Sequence, residues 1–222
     1  MKNLQILGSS HISGQFAYKI KDIILTEEPE IVAVELDLQR LESLFSNQRN
    51  KYSLKSIKQI GIFGFIFGLI GSKMQSVLGR QVGFQPGIDM KTAVLAAKQV
   101  KSKIMLIDQP IEITLNKLSQ IKTRDKLKLI FYILFSPFSR KNQKLAKKID
   151  LRKVPEEKII EEMTAEFKKK VPAFYKILIE ERNKIIAKNI ISIQKKYPDS
   201  RIIAVIGAGH KKEVEQLIKN SK

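Results

Sequence analysis

Four short runs of branched apolar residues decide which kind of fold this sequence can adopt. Runs that are apolar at nearly every position are typical of strands in a parallel sheet covered on both faces. The four are LQIL at 4–7, EIVAVEL at 30–36, KIMLID at 103–108 and RIIAVIG at 201–207. Segments with helical periodicity alternate with these runs, at 13–26, 38–47, 89–100 and 211–219. The sequence therefore predicts an α/β fold, with a mixed, largely parallel central sheet flanked by helices.

The stretch between the third and fourth runs is charged and helical. Pro155 and the glutamates after it favour a first helical turn, and the lysines at 168–170 favour a last one. Pro172 separates this helix from a longer one. We expect 110–198 to form a helical insertion before the last strand, within a single domain that spans 1–222.

Composition narrows the chemistry. The chain has no cysteine, which excludes disulfide scaffolds, zinc–thiolate sites, iron–sulfur sites and thiol nucleophiles. The formal net charge is +19, carried mostly by lysines that lie in helix-like segments with few aromatic residues among them. A solvated lysine-rich surface accounts best for this charge, and attraction to an anionic membrane comes second. Specific nucleic-acid binding is not predicted, because bases need aromatic or arginine surfaces on which to stack.

The two histidines follow strands at the same spacing. The first predicted strand ends in a Gly-Ser-Ser-His turn from Gly8 to His11, and the last ends in Gly-Ala-Gly-His from Gly207 to His210. Ligands of open α/β sheets bind at the carboxyl ends of the strands, where glycine permits tight turns. We expect the two histidines to share one site, with two unrelated surface or core histidines as the alternative.

Acidic residues end the two middle strands. Glu35 follows four apolar residues, and its burial is costly unless it is paired or binds a cation. Asp37, two residues later, is also a good cap for the next helix. Asp108 ends the third strand, where it either serves the site or caps the helix entered through Pro110.

Arg182 lies on an apolar face of the long predicted helix. The apolar residues of this face recur at helical spacing and are Tyr175, Leu178, Ile179, Ile185, Ile186 and Ile193. A guanidinium on a buried face needs an anionic partner, and its planar fork suits a carboxylate or a developing oxyanion. A structural ion pair and a role in the site are both open.

Taken together, these motifs resemble the TraB/PrgY family, known for pheromone shutdown in bacteria and also found in archaea. The resemblance rests on both Gly-x-x-His motifs, VAVELD, the PGIDM turn at 86–90, LID, ERN at 181–183 and the final VIGAGH. The family is related to TIKI metalloproteases, GumN-like proteins and, more distantly, erythromycin esterases and ChaN. Many members carry a carboxyl-terminal membrane region, and none is expected here.

The resemblance implies a site and a cofactor. By position, His11, Glu35 and His210 would be catalytic residues and the ligands of a divalent metal, with manganese, cobalt and zinc as the candidates. Arg182 would stabilise an oxyanion. The remaining members of the expected site are Gly8, Asp37, Asp89, Asp108, Asn183 and Gly207. Many archaeal relatives have glutamate where this chain has Asp89 and arginine where it has Gln109.

Two functions follow as expectations. The leading one is a metal-dependent hydrolase, most simply a peptidase that acts on short peptides or protein termini, with a metal-free variant in which one histidine is a general base. The alternative is a non-catalytic module that binds or sequesters a peptide and contacts a membrane. We expect a cytoplasmic protein, because the sequence shows no signal peptide and no apolar run long enough to span a bilayer.

One apolar segment predicts a partner. Residues 60–71 carry glycines three or four positions apart among phenylalanines and isoleucines. A helical surface of this kind is rarely left in water, and a glycine stripe favours close helix–helix approach. We therefore expect a homodimer built partly on 60–71, with peripheral membrane contact as the weaker alternative.

Overall fold

Four parallel strands form the sheet of the computed structural model, which describes residues 3–9, 14–46, 87–135 and 157–221. The strands are β1 (Leu4–Ser9), β2 (Ile31–Val34), β3 (Lys103–Leu106) and β4 (Ile202–Gly207). Their spatial order is β1-β4-β2-β3, so the last strand lies between the first two. All three pairings in this part of the chain are parallel. The α/β fold and the four strands are confirmed.

The helices lie close to where periodicity predicts them. In chain order they are α1 (Gly14–Glu27), α2 (Leu38–Phe45), α3 (Ile88–Gln99), α4 (Ile111–Ser119), α5 (Thr123–Phe135), α6 (Glu157–Lys170), α7 (Pro172–Tyr175), a π-helical turn (Lys176–Glu180), α8 (Glu181–Lys196) and α9 (Ala208–Lys219). One boundary differs from the prediction. The final Gly-x-x-His segment is not a separate turn, because β4 leads directly into α9 and His210 lies in the first helical turn.

Alternate residues of the strands face two cores, one on each side of the sheet. On one side, Ile31, Ala33 and Ala204 pack with residues of α8 and α9. On the other side, Val32 and Val205 pack with residues of α1 and α3. Helices on both faces of a parallel sheet give a three-layer arrangement that leaves the carboxyl ends of the strands as a common edge.

A third core joins the helices between β3 and β4. It contains Leu118 of α4, Leu129 of α5 and Phe174 of α7. The predicted helical character of 110–198 is thus confirmed for the described residues of that range, whereas its status as an insertion stays a prediction. Among the described helices, none is both long and apolar enough to cross a membrane. The segment 60–71, on which we expect a dimer, lies outside the described residues.

The long helix changes its pitch just before Arg182. The π-helical turn inserts one residue relative to a regular α-helix, which rotates the following side chains by about 100°. Residues before the turn, such as Phe174 and Ile177, belong to the third core. Residues after it, such as Ile186 and Ile190, belong to the core beneath the sheet. One continuous helical path therefore serves two cores.

The PGIDM turn needs its glycine. Gly87 precedes α3 with φ of +79°, in the left-handed region that favours glycine. A Cβ atom at this position would also lie 2.8 Å from Cδ2 of Leu44. The turn thus fixes how the chain enters α3, at whose start Asp89 lies.

Candidate active site

The carboxyl ends of β2 and β4 are linked through Glu35. Its backbone N–H donates to the carbonyl of Val205 at 3.0 Å, and its side-chain Oε2 accepts a hydrogen bond from the backbone N–H of Gly207 at 2.5 Å. Glu35 is buried. Because β4 lies next to β2, a carboxylate that follows one strand meets the N–H that ends the other.

Arg182 joins this carboxylate to the end of β3. Its Nη2 contacts Oε1 of Glu35 and lies 2.5 Å from Oδ2 of Asp108, and its Nε donates to the same Asp108 oxygen at 3.1 Å. Only 16% of the Arg182 side chain is exposed. Burial alone would lower the pKa of this guanidinium, but the carboxylates of Glu35 and Asp108 outweigh that effect and raise it above its usual range. Arg182 therefore stays charged.

Asp108 contacts Arg182 at the end of β3 and is not the cap of α4. Burial would raise the pKa of Asp108, but Arg182 and, more weakly, Arg40 reverse this and hold it below its usual range. The cap position of α4 is Pro110, which has no side-chain cap bond. Gln109, the site of a departure from the family pattern, donates its side-chain amide to Thr114 at 2.7 Å.

Arg40 is a residue that the sequence analysis did not single out. Its Nη2 lies 2.5 Å from Oδ2 of Asp108, the oxygen that Arg182 also contacts. Its Nε donates to Oδ2 of Asp37 at 2.7 Å. The sequence could have indicated the contact between Arg40 and Asp37. Arg40 comes three positions after the predicted cap residue, and side chains three positions apart are neighbours on a helix.

Asp37 has the capping role that its position allows. Its Oδ1 accepts the backbone N–H of Arg40 at 2.8 Å, which satisfies the first turn of α2. Its Oδ2 also accepts the N–H of Ile111 at 3.1 Å, at the start of α4. Asp37 thus fixes two helix starts, and Arg40 connects it to Asp108.

His210 is held by the side chain of Asn183. Nδ1 of His210 lies 2.6 Å from Oδ1 of Asn183, and both residues are buried. The amide nitrogen of Asn183 donates to Oε2 of Glu213 at 2.8 Å. The hydroxyl of Tyr175 donates to the same oxygen at 3.2 Å. The sequence analysis expected Asn183 in the site but did not include Tyr175 or Glu213 there.

The other ring nitrogen of His210 faces Glu35 and Arg182. Its Nε2 lies 3.5 Å from Oε1 of Glu35 and 3.3 Å from Nη1 of Arg182. The structure therefore brings together Glu35, Asp108, Arg182, Asn183 and His210, as expected from their positions in the sequence. Their chemical roles stay predictions.

The end of β1 approaches the same edge of the sheet. Gly8 lies opposite Ile206 in the parallel pairing, and a Cβ on Gly8 would lie 3.3 Å from Cα of Ala208. The hydroxyl of Ser9 donates to Oδ2 of Asp89, which is fully buried. His11 lies outside the described residues, so the predicted sharing of one site by both histidines stays a prediction.

The carboxylate and guanidinium groups at this edge of the sheet carry a net negative charge in a strongly basic protein. In the described part of the chain, Glu35, Asp37 and Asp108 face two guanidinium groups, those of Arg40 and Arg182. Three carboxylates against two cations leave one excess negative charge, whereas the whole chain carries +19. Within the same ranges, three or more histidine or acidic side chains do not converge in a ready-made metal-binding group.

Comparisons with known proteins agree with the resemblance seen in the motifs. A model of the TraB/PrgY/gumN family matches residues 2–222. An uncharacterized protein of Methanocaldococcus jannaschii is 31% identical over 98% of this chain and 53% of its own length. TraB domain-containing proteins of Bos taurus and Mus musculus are 23% and 22% identical, over 95% of this chain and 61% of their own length. The chain thus spans about half to three-fifths of these relatives.

Proposed function

Because this chain belongs to the TraB/PrgY/gumN family, we propose that it is a hydrolase whose site is the cluster of Glu35, Asp108, Arg182 and His210. The proposed activity is the metal-dependent cleavage of short peptides or protein termini. The observation that carries the proposal is the burial of two carboxylates, a guanidinium and an imidazole at the carboxyl ends of adjacent parallel strands.

Stability alone gives no reason for such a cluster. Removing charged groups from water costs several kcal/mol for each ion, and well-packed apolar residues in their place are often equally or more stable. The cluster also lies at the edge where open α/β sheets bind their ligands. Buried, strongly interacting ionisable groups in such a position are typical of functional sites.

Two of the three proposed ligands, Glu35 and His210, have donor atoms at a separation that suits a divalent cation. Oε1 of Glu35 and Nε2 of His210 are 3.5 Å apart. Two ligand atoms of a tetrahedral zinc ion, each bonded at about 2.0–2.1 Å, lie roughly 3.3–3.4 Å apart. The excess negative charge of the cluster favours a cation, and Asn183 orients the ring as outer partners of metal-bound histidines do. The proposed third ligand, His11, lies outside the described residues.

A bound metal ion would supply a water of lowered pKa and would polarise the scissile carbonyl. The rest of the work falls to side chains of the protein. Arg182 would place its positive charge beside the oxyanion that develops at the carbonyl. Asp108 holds that guanidinium through contacts of 2.5 Å to Nη2 and 3.1 Å to Nε. Asn183 holds the ring of His210 in place.

One observation supports a metal-free version of the same hydrolase. Arg182 contacts both Oε1 of Glu35 and Nε2 of His210, the two atoms that would bind the metal. In this version Nε2 accepts a proton from the attacking water, and Arg182 stabilises the oxyanion. The two versions use the same residues and differ in their need for a metal.

A digestion experiment tests the proposal. The purified chain is incubated with a mixture of short peptides whose termini are free, acetylated or amidated, with added manganese, cobalt or zinc or with a chelator. Products are identified by mass spectrometry. We expect cleavage that Glu35→Gln and His210→Gln each reduce by 100-fold or more, on the order of the loss of one main catalytic group.

The matched control is Glu30→Gln. It makes the same chemical change in an ion pair with Arg201 that is exposed to solvent, whereas Glu35 is buried. Cleavage that disappears with the chelator favours the metal-dependent version, and cleavage that persists favours the metal-free one. If the folded wild type and the folded Glu35 and His210 variants cleave equally, the hydrolase proposal is wrong. Peptide binding without cleavage would instead favour the sequestering module.

A further inference from the structure

The hydrogen bonds around His210 determine which of its nitrogens carries the proton. An asparagine amide donates from its nitrogen and accepts at its oxygen, so either end can face a given partner until something orients it. In this protein Asn183 lies between the ring of His210 and the carboxylate of Glu213. The partner on the far side therefore decides which end of the amide faces the histidine.

Glu213 orients that amide. An ionised carboxylate only accepts hydrogen bonds, so the atom of Asn183 that lies 2.8 Å from Oε2 must be the amide nitrogen. Tyr175 supports this arrangement by donating its hydroxyl to the same oxygen at 3.2 Å. Burial and the Glu213 carboxylate raise the pKa of Tyr175 to about 12, so the hydroxyl keeps its proton at neutral pH.

The oriented amide selects the tautomer of the ring. With its nitrogen turned to Glu213, Asn183 presents Oδ1 to Nδ1 of His210 at 2.6 Å, and that nitrogen must donate. The opposite side of the ring offers Nε2 one donor and one acceptor. Nη1 of Arg182 lies 3.3 Å from Nε2 and Oε1 of Glu35 lies 3.5 Å from it, so the selection of the tautomer falls to Asn183.

We propose that Glu213 is a positioning residue that acts through Asn183 to hold neutral His210 as the Nδ1–H tautomer, in which the Nε2 lone pair accepts from Nη1 of Arg182. The tautomer is a property of the protein without ligand. Its use, as a metal ligand or as a general base, rests on the proposed hydrolase function. In either use Nε2 is the atom that acts, and Glu213 orients the ring through Asn183 without touching substrate.

The test uses the fact that the chain has only two histidines. Protein labelled with ¹⁵N-histidine gives signals from two rings, and His11→Gln identifies which ring is His210. Long-range ¹H–¹⁵N correlations at mildly alkaline pH, in metal-free protein, distinguish a protonated from an unprotonated nitrogen at each ring position. We expect wild-type His210 to be protonated at Nδ1 and unprotonated at Nε2. An Nε2–H signature in the wild type overturns the proposal whatever the variants do.

Three variants separate positioning from general stability. Glu213→Met removes the acceptor, so the amide of Asn183 is free to turn and the Nε2–H tautomer becomes populated. Glu213→Gln offers a carbonyl oxygen instead, and we expect it to retain the wild-type signature. Glu215→Met is the matched control on the same helix, because its carboxylate lies 3.9 Å from Lys211 on the surface. A folded Glu213→Met with the wild-type tautomer refutes the positioning role.

Metal affinity gives a second readout. Loss of an outer partner of a metal-bound histidine typically weakens binding 10–100-fold, so manganese or zinc alone should bind Glu213→Met about 10-fold more weakly. Wild-type affinity is expected for Glu213→Gln and Glu215→Met. If the tautomer changes in Glu213→Met while the affinity does not, the positioning role stands and the metal role of His210 fails.

Discussion

Replacing Arg182 with methionine tests whether the buried ion pairs are the main structural contribution of this residue. Methionine keeps much of the aliphatic stem and suits a helix, so the change removes mainly the guanidinium. The fork contacts Glu35 and Asp108, whose side chains are 3% and 0% exposed. After the substitution both carboxylates stay buried and lose this cation.

The contacts that remain set the size of the loss. Removing one partner of a buried ion pair typically costs 3–5 kcal/mol. Asp108 keeps Arg40 at 2.5 Å, and Glu35 keeps the N–H of Gly207 at 2.5 Å. We therefore expect the lower end of that range, about 3 kcal/mol of the free energy of unfolding. For a protein of this size, that loss lowers the melting temperature by roughly 6–12 °C.

The assay is urea-induced unfolding followed by circular dichroism, repeated across acidic pH. Because the folded pKa of Asp108 is depressed, its ion pairs stabilise the protein above the unfolded pKa of about 3.9. That stabilisation is lost as the pH falls through the folded pKa. The difference between wild type and Arg182→Met should therefore be largest above about pH 4 and should shrink below it.

Arg201→Met is the matched control, because Arg201 forms an exposed ion pair with Glu30. Exposed pairs of this kind contribute little to stability. If both variants lose equal stability at neutral pH, or if the loss in Arg182→Met does not depend on pH, then the buried pairs do not have the energetic role argued above.

Three further predictions concern single substitutions. Arg182→Lys keeps the charge but not the planar fork, and we expect kcat for the proposed peptide cleavage to fall about 100-fold without loss of fold. Wild-type turnover would remove Arg182 from the proposed site. Gly87→Ala should lower the free energy of unfolding by about 1 kcal/mol or more, because φ is +79° and Leu44 lies 2.8 Å from the new Cβ. Gly209→Ala, whose Cβ would meet nothing within 4 Å, should not destabilise in the same urea titration; equal losses would contradict the argument. Asp37→Ala should cost about 2 kcal/mol, the upper end for a lost cap, because its oxygens also accept from Ile111 and Arg40; a loss below about 0.5 kcal/mol in thermal unfolding would contradict the double role.

The strands and most helix ends could be predicted because each depends on local sequence. Apolar runs with no polar alternation predict strands covered on both faces, and β2 and β4 are buried at every position. Asp37 is followed by a helical pattern, so its capping role could also be predicted. The start of α9 could not, because Gly207 and Gly209 favour a turn as readily as a helix start.

The candidate site was predictable where a polar residue interrupts an apolar pattern. Glu35 at a strand end and Arg182 on an apolar helix face are charged residues in otherwise apolar patterns, and both lie in the cluster. Glu213 and Arg40 interrupt no apolar pattern, because each lies on a helix surface where charged residues are ordinary. Their roles depend on which side chains approach them from other elements, and periodicity carries no information about that.

The sequence by itself determined an α/β fold with a largely parallel sheet, because strand and helix patterns repeat over a few residues. It also indicated acidic, basic and imidazole groups near the carboxyl edge of that sheet. That the described strands are all parallel was seen only in the structure. Only the tertiary structure decided the strand order β1-β4-β2-β3, which places the N–H of Gly207 against the carboxylate of Glu35. Only the tertiary structure showed the π-helical turn that precedes Arg182 and Asn183, the residues that contact Asp108 and His210. Strand order and helix rotation depend on packing between residues far apart in the chain, so the contacts among these side chains form only once the layers have assembled.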